Sequence, residues 1–217
     1  MHEFKKNVEK REGLSEAAIE RSRKLRDSFR RLISHELAQL YSLDAKQLSH
    51  LGTGSSAEVF SDGVFAYKIF GNGNFTEPGF AVEVSLAELD GIKKLFAERE
   101  VETMKLLGPS GLAPLFNEND VRRNEKAFVI KMELVVGTPL HELTDANMLS
   151  EEDAVRFREV FKKAMLETSL QGVDFELIVN ARGNLKIRDL GGFMKVDYSQ
   201  PVNLAVLEYQ LDNYFVN

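Results

Sequence analysis

Three stretches of the chain carry apolar residues three and four apart, the spacing that gathers them on one face of a helix. The first runs from residue 15 to about residue 40, with Leu25, Phe29, Leu32 or Ile33, and Leu37 as its stripe. Ser15 is placed to cap it, and Leu14 with Ile19 to staple its start. The second covers 86–107 through Leu89, Ile92, Phe96, Met104 and Leu107, and Gly108-Pro109-Ser110-Gly111 stops it. The third covers 153–168 through Val155, Phe157, Val160, Phe161, Met165 and Leu166. Residues 51–70 follow another rule. β-Branched and aromatic residues crowd on either side of small, turn-forming ones, which predicts three strands. The run Gly52-Thr53-Gly54-Ser55-Ser56-Ala57 is the first turn between them and Ser61-Asp62-Gly63 the second.

Further strands are predicted at 112–116 and 127–132, separated by a charged turn over 117–125. Another pair, 175–180 and 184–188, is joined as a hairpin by Ala181-Arg182-Gly183. Glycines and Pro78 make 71–79 a loop, and a Gly137-Thr138-Pro139 turn follows the apolar run at 132–136. Leu207, Leu211, Tyr214 and Phe215 predict a short final helix.

Composition narrows the classes of function. The chain has 217 residues, 43% hydrophobic and 29% charged, enough for one bilobal unit or two small lobes. A net charge of −6 argues against nucleic acid as the partner. With no cysteine there is no disulfide, zinc thiolate or Cys nucleophile. No apolar run is long enough for a membrane span, and the start of the chain is too charged for an ordinary secretory signal peptide. The four histidines are scattered without metal-ligand spacing. Arg21, Arg23, Lys24, Arg26, Arg30 and Arg31 give the first helix a basic side, read either as a solvated face or as a contact for an acidic partner or membrane surface.

Candidate chemistry starts at the glycine-rich turn. Nothing larger than Ser or Thr stands in it, so its backbone N–H groups are able to close over phosphate oxygens. Lys68 follows on the third strand between Tyr67 and Ile69. The combination of a Gly-x-Gly-x-x-Ala turn and an Ala-x-Lys strand resembles the N-lobe of a protein kinase. It differs from a P-loop, where the lysine closes the glycine loop itself. The stretch 99–107 resembles the kinase C-helix, in which a glutamate pairs with the strand lysine; Glu100 is the candidate, with Glu98 and Glu102 nearby. The stretch 132–140 resembles the hinge, where backbone groups near Glu133 and Val135 would bind an adenine edge. Asp189-Leu190-Gly191 resembles the Asp-Phe-Gly element, so Asp189 is expected to bind magnesium.

The catalytic loop departs from the family pattern. Counted back from Asp189 without gaps, the catalytic aspartate position falls on Gln171 and the asparagine position on Glu176. Glutamine cannot accept a proton, and that register predicts a pseudokinase. A shortened loop instead makes Asp174 the catalytic carboxylate and Glu176 a second metal ligand. The second register is the one taken here.

Over residues 51–191 the chain resembles the minimal eukaryotic-like kinases that bacteria deliver into host cells as type III effectors, the HopBF family in particular. The resemblance implies an α+β, protein-kinase-like bilobal fold. It has a five-stranded antiparallel N-lobe sheet plus C-helix and a much reduced, mainly helical C-lobe. The expected divisions are a helical extension over 1–48, the N-lobe over 49–135 and the C-lobe over 136–217. The implied activity is ATP- and Mg-dependent Ser/Thr protein phosphorylation. Gly52, Thr53, Gly54, Ser55, Ser56, Ala57 and Val59 would cover the nucleotide. Lys68 and Glu100 would position its phosphates, and Asp174 would act on the attacking hydroxyl. By the same resemblance the protein is secreted into the host cytoplasm as a monomer, and its substrate is a host protein, the ninety-kilodalton heat-shock chaperone. A pseudokinase binding module, or a kinase-fold transferase moving AMP or glutamate, remains the alternative.

Overall fold

The computed structural model describes residues 16–54, 57–71, 86–123, 127–173 and 175–215. The chain divides into two compact units between Leu48 and Ser49. The first contains helix α1 (Glu16–Tyr41) and a 3-10 turn at Ala45–Gln47. Among its described side chains Ile33 and Leu37, four apart, are buried, and Leu32 is exposed. Asp44 accepts from the Lys46 N–H at 2.9 Å to start the 3-10 turn. Ser15 and Leu14 lie outside the described residues, as do the side chains of Ile19, Arg21, Arg23, Leu25, Arg26 and Phe29.

The second unit opens with a five-stranded antiparallel sheet in the order β1-β2-β3-β5-β4. Its strands are β1 (Ser49–Thr53), β2 (Glu58–Ser61), β3 (Phe65–Gly71), β4 (Phe116–Arg123) and β5 (Ala127–Glu133). Helix α2 (Leu86–Leu107) packs on β3 and β5. Side chains alternate across a strand, so Ala66, Lys68 and Phe70 share one face of β3 with their cross-strand partners Met132, Ile130 and Phe128. Ala97, Met104 and Leu107 of α2 complete the apolar cluster on that face.

The remainder is mainly helical, with two small sheets. Strands β6 (Gly137–Pro139), β8 (Leu177–Asn180) and β9 (Leu185–Ile187) form one, in the order β6-β8-β9. Strands β7 (Leu170–Gly172) and β10 (Phe193–Lys195) form the other. Helices α3 (Leu140–Asp145), α4 (Glu151–Thr168) and α5 (Pro201–Phe215) surround them. Ser150 caps α4 by accepting from the Asp153 N–H at 3.1 Å. Phe175 anchors this core: its ring centroid lies 5.4 Å from Phe161, 5.1 Å from Phe193 and 5.0 Å from Tyr214. Gly172 must be glycine here, since a Cβ would meet the Phe175 ring at 2.4 Å and the Phe193 ring at 2.8 Å.

Several expectations need correction. Of the charged segment expected to turn over 117–125, residues 117–123 belong to strand β4, with a register shift between Phe116 and Val121, and 124–125 lie outside the described residues; 112–115 lies outside any strand. As the sheet's edge, β4 needs a partner on one side only, which leaves Glu118, Arg122 and Arg123 exposed to water. Leu112 and Ala113 are buried in the core without belonging to the sheet. Gly52 and Thr53, expected in the turn, extend β1 because they pair with Val59 and Glu58. Gly137-Thr138-Pro139 is a short strand against β8. In α4 the buried stripe is Ala154, Phe157, Phe161, Ala164 and Met165. Val155, Val160 and Leu166 lie on its exposed side, because the core sits against the aromatic stripe. The loop expected over 71–79 falls, apart from Gly71, outside the described residues.

Candidate active site

Lys68 sits mid-strand in β3, opposite Val59 of β2 and Ile130 of β5. It is 7% exposed. Helical geometry decides which glutamate of α2 meets it. Glu100 falls three residues after buried Ala97 and four before buried Met104, on the stripe that faces the sheet, and is 1% exposed. Glu98 and Glu102, two residues to either side, face water. The Lys68 ammonium stands 3.0 Å from Glu100 Oε1, with hydrogen-bond geometry, and 2.8 Å from Oε2, an ionic contact only.

Asp189 reaches the same ammonium from the loop after β9, at 3.0 Å through Oδ1. Buried Leu190 anchors that loop, and the Gly191 N–H donates to Asp189 Oδ1 at 3.2 Å. Gly191 lies close against both acids; a Cβ there would stand 3.4 Å from Glu100 Oε2 and 3.5 Å from Asp189 Oδ1. The Asp189 side chain is 55% exposed, so this carboxylate joins a buried cation to solvent.

Burial alone would lower the Lys68 pKa, but the charges of Glu100 and Asp189 outweigh it and hold the ammonium above its ordinary range. Burial pushes the Glu100 carboxyl up; Lys68 pulls it back, and Asp189 adds to the rise.

Around this centre, the turn between β1 and β2 is closed by the Gly54 N–H donating to the Ala57 carbonyl at 2.8 Å. Ser55 and Ser56 lie outside the described residues. Val59 shares the Lys68 face, directly opposite it. The Thr53 hydroxyl donates to Glu58 Oε2 at 2.8 Å, and the same oxygen meets His50. At the other end of the sheet, the Glu133 N–H donates to the Leu115 carbonyl at 2.7 Å. The expectation of a base-binding edge therefore rests on Val135 and on carbonyl groups, not on this N–H.

Asp174 lies outside the described residues, but its two neighbours are well anchored. The Val173 N–H donates to the Gly192 carbonyl at 3.1 Å, beside the Asp189 loop, and Phe175 is locked in the aromatic core. Gln171 is inside β7, buried, opposite Met194. Glu176 pairs through its carboxylate with the Arg188 guanidinium.

Sequence reasoning missed two cations here. Lys186, buried in β9, donates to the Ala113 carbonyl at 3.0 Å and to Glu133 Oε2 at 3.1 Å. Arg188 precedes Asp189 directly, and that adjacency was the one signal available for it. A depression between α2 and the β4–β5 pair, floored by Val101, Val121 and Phe128, lies apart from this centre. Four of its rim charges are already matched, Lys105 to Glu118 at 2.7 Å and Arg123 to Glu98 at 2.6 Å.

The chemistry of the donors fits one hard cation beside a phosphate chain. Asp189 offers carboxylate oxygen, and Lys68 is a fixed point charge next to it. Among the described residues no three His, Asp or Glu side chains gather into a metal site.

This architecture and this centre define a protein-kinase-like fold. Among solved structures, the chain is similar to WbdD. A high-resolution WbdD structure superposes with a TM-score of 0.53 at 18% identity over 76% of this chain and 37% of WbdD. WbdD bound to a kinase inhibitor gives 0.51 at 17% identity over the same shares, 76% and 37%. A third structure, which names WbdD a bifunctional kinase-methyltransferase, gives 0.48 at 18% identity over 73% and 34%. The chain thus spans little more than a third of WbdD's length, and the likeness is one of fold. No family model matches the chain, and no curated protein matches its sequence.

Proposed function

We propose that this chain is an ATP- and magnesium-dependent protein kinase acting on Ser or Thr. The observation that carries the proposal is Lys68, gripped between Glu100 of α2 and Asp189 of the late loop, which follows Lys68 by 121 residues. Two charges so far apart in sequence converge on one buried ammonium whose second acid opens to water. A buried pair alone would be structural; the exposed third member gives a substrate somewhere to bind.

In this reading Lys68 stays protonated at neutral pH, because Glu100 and Asp189 hold its pKa up, and it orients the α and β phosphates. Glu100 keeps it from turning away. Asp189 holds the magnesium ion, which when bound neutralises charge developing on the phosphates. The turn over 52–57 covers the phosphates, and Val59 and Val135 flank the base. Asp174 accepts the proton of the substrate hydroxyl as its oxygen bonds to the γ-phosphorus. The bond to the β–γ bridging oxygen breaks, and ADP leaves. Gln171 suits that role poorly, since it is buried inside a strand with its neighbours paired. This favours the shortened loop and an active enzyme over the pseudokinase.

The resemblance to HopBF-type effectors supports the finer reading: delivery into a host cell, a host protein as substrate, and the ninety-kilodalton heat-shock chaperone as first candidate. Purified chaperone and lysate are incubated with ATP labelled at the γ or the α position. Transfer of the γ label, lost in Asp174→Asn by about 10²- to 10⁴-fold and in Lys68→Ala, is the expected result. Transfer from the α position alone would mean adenylylation. Nucleotide binding with no transfer would mean a pseudokinase. Labelling of lysate proteins but not the chaperone would leave the kinase and remove that substrate.

A further inference from the structure

The carboxylate expected to hold a second metal ion already has a cation of its own. Leu177 of β8 stands opposite Ile187 of β9, so Glu176 and Arg188 are the next cross-strand pair just beyond the strand ends. The Arg188 N–H donates to the Glu176 carbonyl at 2.9 Å, continuing the ladder by one more bond. Directly opposed residues bring their side chains together, and here the guanidinium closes on the Glu176 carboxylate. The meeting follows from strand register, with backbone holding both ends, and is not a chance contact of two long surface side chains. Arg188 also immediately precedes Asp189, so the same strand end delivers a guanidinium and the metal-binding acid.

A guanidinium remains charged at any physiological pH and cannot yield its place by losing a proton. A divalent ion on Glu176 would sit against it, two cations on one carboxylate. Pairing with Glu176 does not exhaust the guanidinium either: it carries five N–H donors in a fork suited to phosphate oxygens, and its side chain is about half exposed.

We infer that the Arg188–Glu176 pair takes the place of a second divalent cation, and that this chain binds nucleotide with a single ion, on Asp189. Glu176 then positions Arg188 and is not a metal ligand, and Arg188 supplies the positive charge at the phosphates. This inference rests on the nucleotide-binding reading above, and the test separates the two. Mn²⁺ bound per chain is counted by EPR in the presence of the β,γ-imido analogue of ATP, while calorimetry follows binding of the analogue itself. Wild type is expected to hold one ion. Arg188→Gln, which frees the Glu176 carboxylate, is expected to hold two. Glu176→Gln is expected to keep the single ion with its affinity changed by less than about tenfold, the smallest loss that removing even an outer partner of a metal ligand brings. Two ions in wild type, one in Arg188→Gln, or loss of the ion in Glu176→Gln would each overturn the inference while leaving nucleotide binding intact. No binding of the analogue by wild type would remove the nucleotide reading, and this inference with it. Melting curves of both variants establish that folded protein is being counted.

Discussion

Two lysines of this chain are buried to almost the same degree, and they do different things. Lys68 lies in the middle of β3 at 7% exposure, Lys186 in β9 at 8%. Each meets a carboxylate. Lys186 also donates to a backbone carbonyl, and its acid, Glu133, accepts the Leu115 N–H at 2.9 Å, so cation and acid both have further partners within the protein. It ties β9 to the end of β5 and to the segment before β4. Lys68 instead meets two acids, and one of them faces water. Burial of a cation therefore does not mark a site. The mark is a surplus of charge at its open end, which a ligand can use.

The sharpest way to break this comparison is to neutralise each lysine. Lys68→Met is expected to lower kcat/KM for transfer by about 10²- to 10³-fold, the size of losing one donor to a developing charge. Lys186→Met is expected to leave transfer by the folded protein within about tenfold of wild type. Equal losses in the two would erase the distinction.

Stability should suffer at both lysines. Lys186→Met takes the cation from Glu133, which keeps the Leu115 N–H, and the donor from the buried Ala113 carbonyl, and is expected to cost about 2 kcal/mol in denaturant unfolding. A cost below about 1 kcal/mol would mean that the cluster is only a surface pair.

The pH dependence sharpens the contrast further. Without Lys68, Glu100 keeps the burial that raises its pKa and loses the charge that lowers it. An acid whose pKa is raised by folding contributes stability below its unfolded value of about 4.3 and loses it as pH rises through the folded value. Lys68→Met should therefore melt at a lower temperature at pH 8 than at pH 5, relative to wild type. A flat difference between those pH values would show that Glu100 is better solvated than its burial implies.

The smallest effect belongs to the pairs between α4 and α5, where Arg158 meets Asp212 at 2.8 Å and Lys162 meets Glu208 at 2.7 Å. Arg158→Ala is expected to cost about 0.5 kcal/mol, screened by added salt. A cost as large as that of Lys186→Met would mean that exposure matters less than the comparison of the two lysines requires.

Periodicity located all three long helices, and β-branched and aromatic clusters around small turn residues located the hairpin that carries Lys68. It read strands poorly where the environment sets the pattern. Strand β4 carries Asn117-Glu118-Asn119-Asp120, which looks like a turn and is in fact an irregularity of the edge strand: the register with β5 shifts between Phe116 and Val121, and the Asn119 N–H donates to Asn117 Oδ1 at 2.9 Å. Leu112 and Ala113 look like strand and are core without being sheet. The same limit applies to charge. The resemblance of 99–107 to the kinase C-helix nominated Glu100, with Glu98 and Glu102 close by, but nothing nearby in the chain nominates Glu133 for Lys186, or Glu176 for Arg188.

What the order of residues decided by itself is local: the stripe on α2 that turns Glu100 inward, the small residues of the turn before Val59, and the strand that carries Lys68. Each depends on neighbours within a few positions, where backbone geometry leaves little choice. Which charges meet was decided only when the chain closed on itself. Lys68 waits for Asp189, and Arg188 for the β8–β9 register, because an ion pair forms wherever packing brings two side chains together, and packing joins segments that carry no local trace of one another.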